Sequence, residues 1–131
     1  AWLISEMRKL QQYTFVCAPS MAQAGAAAAF EVDMEPIIEA YARRRDMVLE
    51  ALGDLAVIPK PGGAFYAYLE VPERLGLDAE GFFQRALEKN VIVIPGSVFS
   101  RRATHVRISY AAPEEMLARG LDGLRAVLEG R

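Results

Sequence analysis

The 131-residue chain is 53% apolar and 24% charged, the balance of a folded domain and not of a disordered segment. Its net charge is −2, and its basic residues are interleaved with acids except at Arg43–Arg45 and Arg101–Arg102, so it lacks the one-sided positive excess on which nucleic-acid binding rests. A single cysteine and a single histidine exclude an intrachain disulfide and offer no metal-ligand spacing, and no apolar run approaches the roughly 18 to 20 residues that span a bilayer.

In chain order, residues 2–12 carry Leu3, Met7 and Leu10 at helical spacing, which predicts a short helix. No cap precedes it, so the segment is expected to continue something upstream. Tyr13 to Cys17 reads as extended. Ser20 is placed to cap an alanine-dominated helix from Met21 to Phe30. That helix has almost no polar face, so it is expected to pack on several sides, some of them outside this chain. Asp33 then caps a long helix with Pro36 in its first turn and Gly53 at its end. Met34, Ile37, Ile38, Tyr41, Val48, Leu49 and Leu52 follow the helical period, and Arg43–Arg45 form its wet side. About 18 residues would span roughly 27 Å, enough to bridge two structural layers.

From Leu55 the pattern becomes two extended pieces around Pro59-Lys60-Pro61-Gly62-Gly63. Asp78 caps a helix through Lys89, with Leu77 and Phe82 as a hydrophobic staple and Asn90 suited to its end. Val91 to Ile94 is wholly apolar and β-branched, which predicts a strand buried on both faces. In the next strand, 105–110, Val106, Ile108 and Tyr110 point one way and His105, Arg107 and Ser109 the other. The final helix has Pro113 at its first position, Glu114 and Glu115 in its first turn, and Met116, Leu117, Leu121, Leu124 and Leu128 on one face. The expected fold class is α+β: a small mixed or antiparallel sheet covered by helices, preceded by a mostly helical N-terminal segment.

Few residues are candidates for chemistry. There is no glycine-rich phosphate loop, and Gly62-Gly63 alone signals a turn. His105 lies beside a strand without a visible Ser or Cys partner, Ser97 and Ser109 lack a nucleophile context, and Cys17 reads as a small apolar filler. Arg107 is the strongest candidate, because a guanidinium offers a planar donor fork that matches a carboxylate and a strand holds it firmly. Periodicity alone leaves open whether it meets solvent or an anion.

Four blocks bear on that question: LQQYTFVCAPSMAQ, PKPGGAFYAYLEVP, NVIVIPGSVFS and HVRISYAAPEEML, in this order. Together they resemble the C-terminal portion of class I/II aminotransferases, the fold-type I enzymes that use pyridoxal 5′-phosphate, and the resemblance covers essentially the whole chain. It implies that Arg107 pairs with the α-carboxylate of an amino-acid substrate, and that Gly63 and Phe65 are candidate borders of the substrate pocket. On residue type these last two also fit a turn glycine and a core phenylalanine. The resemblance further implies a helical segment, 1–33, that packs on a large domain, and a small domain, 34–131, that includes a linking helix, 34–52.

The chain departs from the family pattern in lacking its Schiff-base lysine. Lys9, Lys60 and Lys89 are its only lysines, and they sit on a helix, in a Pro-rich turn and at a helix end, as solvated residues do. Also absent are the family's aspartate partner of the pyridine nitrogen and its phosphate-binding residues. The expectation is therefore a fragment that is inactive alone and binds the cofactor weakly or not at all. The intact enzyme would move an amino group between an amino acid and a 2-oxo acid, as a homodimer. Nothing at the N-terminus has the order of a signal peptide, and a lone thiol suits the cytoplasm. The alternative is a free-standing, non-catalytic α+β module that binds a carboxylate ligand or a partner protein.

Overall fold

A computed structural model describes residues 2–101 and 103–131, so Arg102 of the second basic pair lies outside the described residues. The chain divides into two compact units, Ala1–Pro36 and Ile37–Arg131. The first contains α1 (Trp2–Thr14) and α2 (Ser20–Ala29), neither with a buried residue. Tyr13 to Cys17 is not extended: α1 runs on through Thr14, and the Phe15 and Val16 N–H groups both donate to the Gln11 carbonyl. Val16 then turns the chain with φ of 54°. Nor does Ser20 cap α2. Pro19 holds the cap position without a side-chain bond, and the Gln23 side chain reaches back to the Ala18 carbonyl at 2.7 Å. Met21 and Phe30 are 82% and 90% exposed, so the alanine helix is not covered within its own unit.

The Asp33 carboxylate accepts from the Glu35 N–H at 3.0 Å and opens α3 (Glu35–Leu52). Only its C-terminal part is buried, at Val48 and Leu52; Met34, Ile37 and Ile38 are exposed. At Gly53 a Cβ would stand 2.5 Å from the Leu49 carbonyl oxygen, so a glycine ends this helix for want of space.

The sheet is antiparallel, in the order β1-β3-β2, from β1 (Tyr66–Glu70), β2 (Ile94–Pro95) and β3 (His105–Ser109). Register pairs Ala67 with Ile108 and Leu69 with Val106, all buried on the core face. By the period of two, Tyr66, Tyr68, Arg107 and His105 occupy the other face. Leu55 to Ile58 forms no strand, although the Val57 carbonyl accepts from the Glu70 N–H. Val91 to Ile94 is also shorter as a strand than its composition suggests. The helix before it leaves through Asn90 at φ of 59°, and the Val91 N–H is spent on the Ala86 carbonyl, a Schellman exit that consumes the first strand residue. Val93 is buried, but Ile92 is 76% exposed, so only one face of this segment is covered.

Two helices close the core. In α4 (Ala79–Glu88), the Asp78 carboxylate accepts from the Gly81 N–H at 2.8 Å, and Ala79, Phe82 and Ala86 are buried. In α5 (Glu114–Leu128), Pro113 stands one position outside the helix, and Leu117, Leu121, Leu124, Val127 and Leu128 are buried while Met116 is exposed. These side chains, with Val48, Leu52 and the inner sheet face, make one continuous core.

Arg125 ties α5 to the end of α3. Its Nη1 donates to the Ala51 carbonyl at 2.7 Å and to Asp54 Oδ1 at 2.9 Å, and its Nη2 donates to Asp54 Oδ2 at 2.9 Å. The hydrogen-bonded guanidinium holds the Asp54 carboxyl below the usual range, against a smaller opposing effect of desolvation. A lowered folded-state pKa gives stability that is present above the unfolded value, near 3.9, and lost as pH falls through the folded one. The urea midpoint of Asp54→Asn is therefore expected to fall less steeply than that of wild type below about pH 4. Parallel curves would remove Asp54 from the acid sensitivity.

Candidate functional site

Arg107 stands on the central strand, opposite Tyr68 of β1 and Ile94 of β2, so its backbone is fixed from both sides. Its side chain is half-buried on the face away from the core. There the guanidinium carbon lies 4.2 Å from the Tyr66 ring centroid and 4.3 Å from that of Phe99. Phe99 arrives from the loop behind a 3₁₀ turn, Gly96–Val98. Both rings are close enough for cation–π attraction, which leaves the N–H donors of the guanidinium their capacity for hydrogen bonds. The rings stabilise the charge without neutralising it. Among the described residues, no carboxylate lies within ion-pair distance of Arg107. A partly desolvated cation without an acid partner is able to accept an anion.

Ring contacts run outward from this point. Tyr66 is 4.3 Å from Phe65, Phe65 is 6.2 Å from Tyr41 of α3, and Arg44 stands 5.3 Å over Tyr41. Phe65 is thus joined to Arg107 through one intervening ring, and at 39% exposure it is not a core residue. Gly63 is exposed with nothing within 4 Å of where a Cβ would be, so its space is open. The residue of this turn in the left-handed region is Ala64, at φ of 60°, whose carbonyl accepts from the buried Tyr110 hydroxyl at 3.2 Å. Burial pushes that phenol's pKa up, outweighing the nearby Arg45 charge, so it remains a donor at ordinary pH. This bond fixes the approach of Phe65 and Tyr66 to the site.

Other candidates fall elsewhere. His105 stacks on Tyr68 at 4.9 Å, and its Nδ1 is 2.9 Å from the Thr104 hydroxyl, which gives it a packing role. Cys17 is exposed and is not the apolar filler its residue type suggests. Ser97 is exposed within the 3₁₀ turn, and the Ser109 hydroxyl accepts from the Ala111 N–H. Among the described residues, no three His, Cys, Asp or Glu side chains converge as metal ligands, and no helix is long and apolar enough to cross a membrane. Sequence reasoning missed Tyr66 and Phe99. The alternation of Tyr66 with Tyr68 signals the first, but only the folded loop brings Phe99 to Arg107.

Comparison with known proteins matches residues 1–124 to the family described as aminotransferase class I and II. A probable aspartate aminotransferase of Methanocaldococcus jannaschii is 34% identical over 131 residues, covering 97% of this chain and 34% of that protein. The putative aminotransferase YugH of Bacillus subtilis is 35% identical over 128 residues, covering 93% and 33% respectively. Among solved structures, an aromatic aminotransferase of Pyrococcus horikoshii has a TM-score of 0.82 at 32% identity, covering 99% of this chain and 36% of that one. The chain spans about a third of the length of these relatives. With the family match running through both helical unit and sheet, the chain belongs to the class I and II aminotransferases.

Proposed function

We propose that this chain supplies the substrate-carboxylate clamp of a pyridoxal-phosphate-dependent aminotransferase, with Arg107 binding the α-carboxylate of the amino acid and of the 2-oxo acid. The observation that carries this reading is the guanidinium set against the Tyr66 and Phe99 rings with no acid partner among the described residues. Such a fork orients its ligand by two parallel hydrogen bonds. Gly63 and Phe65 border the same pocket in this reading.

The chain's own residues do not fit the cofactor. Lys9 is exposed and paired with Glu6 at 2.8 Å, Lys60 is exposed 3.8 Å from Asp46, and Lys89 is exposed at the end of α4. None is enclosed in an apolar pocket of the kind that makes a lysine amine a nucleophile. Cofactor binding and proton transfer therefore belong to a large domain, and this chain alone is inactive. In the intact enzyme, a cytoplasmic homodimer, residues 1–33 pack on that large domain, and residues 34–131 form the small domain with 34–52 as its linking helix. The exposed apolar side chains of α2 favour this reading over a free-standing module, which would cover them.

The test is discrimination between an amino acid and the amine formed by removing its α-carboxylate. In the intact enzyme Arg107→Gln should erase most of the preference for the acid. An undiminished ratio would assign the carboxylate to another group. Tyr66→Leu and Phe99→Leu should each raise the substrate KM about 2- to 10-fold, the loss of one cation–aromatic face, with a smaller change in kcat. A fall confined to kcat would show that the rings do not hold the fork.

A further inference from the structure

Tyr110 follows β3 directly and is buried on the core side, 2% exposed, whereas Arg107 of the same strand faces away from the core. It holds the chain ahead of β1 at two successive carbonyls. Its hydroxyl donates to the Ala64 carbonyl at 3.2 Å, and its own N–H donates to the Phe65 carbonyl at 3.0 Å. The next residue, Tyr66, pairs in register with Ser109 and sets its ring 4.2 Å from the Arg107 guanidinium carbon. Phe65 packs on that ring at 4.3 Å. One buried tyrosine therefore grips, from the core side, the two residues that lead into the anion site.

A second observation is where the turn keeps its strained residue. Ala64 has φ of 60°, a left-handed conformation in which a Cβ crowds the backbone and which glycine adopts freely. Gly62 and Gly63 stand immediately before it, and neither has a positive φ. Strain of this kind persists only where surrounding contacts over-determine it. Asn90 also has a positive φ, but it suits that conformation and completes the exit of α4. Ala64 ends no helix, and the donor that meets its carbonyl is the Tyr110 hydroxyl.

We propose that Tyr110 is a positioning residue for amino-acid binding: by holding Ala64 in its left-handed conformation, it aims Phe65 and Tyr66 at the Arg107 site. The hydroxyl itself touches no ligand. Its bond fixes the backbone before the ligand arrives, so that less ordering is left to be done on binding. The inference rests on the reading of Arg107 as the carboxylate clamp.

The test uses the intact enzyme with an amino acid and the amine formed by removing its α-carboxylate. Tyr110→Phe keeps the ring and removes only the hydroxyl. It should raise KM for the amino acid about 2- to 10-fold, the worth of one neutral hydrogen bond, with kcat nearly unchanged and KM for the amine unmoved. Tm should fall by a few degrees. Adding Ala64→Gly to Tyr110→Phe should recover part of the lost preference for the acid, because glycine takes the left-handed conformation without the hydroxyl. A lower Tm with an unchanged preference would make Tyr110 a structural residue only and overturns the inference, as does a double variant that recovers nothing. Arg107→Gln is the control. If it leaves the preference intact, the clamp reading falls and this inference with it; if it erases the preference while Tyr110→Phe does not alter it, this inference alone falls. Should Tyr110→Phe fail to fold, Ala64→Val decides, since a β-branched residue resists a positive φ more strongly: it must weaken the preference, and a wild-type value there overturns the inference.

Discussion

Replacing Arg107 with alanine in the intact enzyme is expected to lower kcat/KM for amino-acid substrates roughly 30- to 5,000-fold, because truncating one partner of a desolvated charge pair costs about 2–5 kcal/mol. Much of that loss comes from a substrate carboxylate left without its donors. Arg107→Lys should fall between wild type and Arg107→Ala, since an ammonium keeps the charge but loses the planar fork. Steady-state kinetics with one amino acid, together with thermal denaturation to show that the variants fold, provides the measurement. Wild-type kcat/KM in Arg107→Ala would refute the proposed clamp. The stability of the domain should change little, because Arg107 faces away from the core.

The second large effect lies in the core. Phe82 of α4 is fully buried and belongs to the cluster that joins α3, α4, α5 and the sheet. Phe82→Ala should cost about 3–5 kcal/mol from lost transfer energy and the cavity left behind. Against a total near 5–15 kcal/mol, that is a large share of the stability. Ile92→Ala, on the exposed edge, should stay within about 0.5 kcal/mol of wild type. Urea denaturation compares the two, and equal midpoints would mean that the core has been misplaced.

Several features were legible in the sequence because they depend on neighbours along the chain. The cap at Asp78 needs only a carboxylate ahead of free N–H groups. The alternation at 105–110 needs only the pleat of a strand, and it correctly sent Val106, Ile108 and Tyr110 inward and Arg107 to the opposite face. Other expectations failed where two local tendencies compete. Val91 has strand propensity, yet its N–H completes the exit of α4, so the strand begins late and Ile92 stays exposed. The Gly62-Gly63 pair suggests where the left-handed residue should be, but Ala64 takes that conformation, with its carbonyl held by the Tyr110 hydroxyl from the far end of β3.

The sequence by itself determined the α+β class, the capped starts at Asp33 and Asp78 and which residues of β3 face inward, through periodicity, capping and four recognisable blocks. Only the tertiary structure decided what surrounds Arg107. Tyr66 lies on a neighbouring strand and Phe99 in a loop between strands, and their meeting over one guanidinium depends on sheet register and loop packing. Periodicity says which way a side chain points; what waits there is set by contacts between residues far apart in sequence.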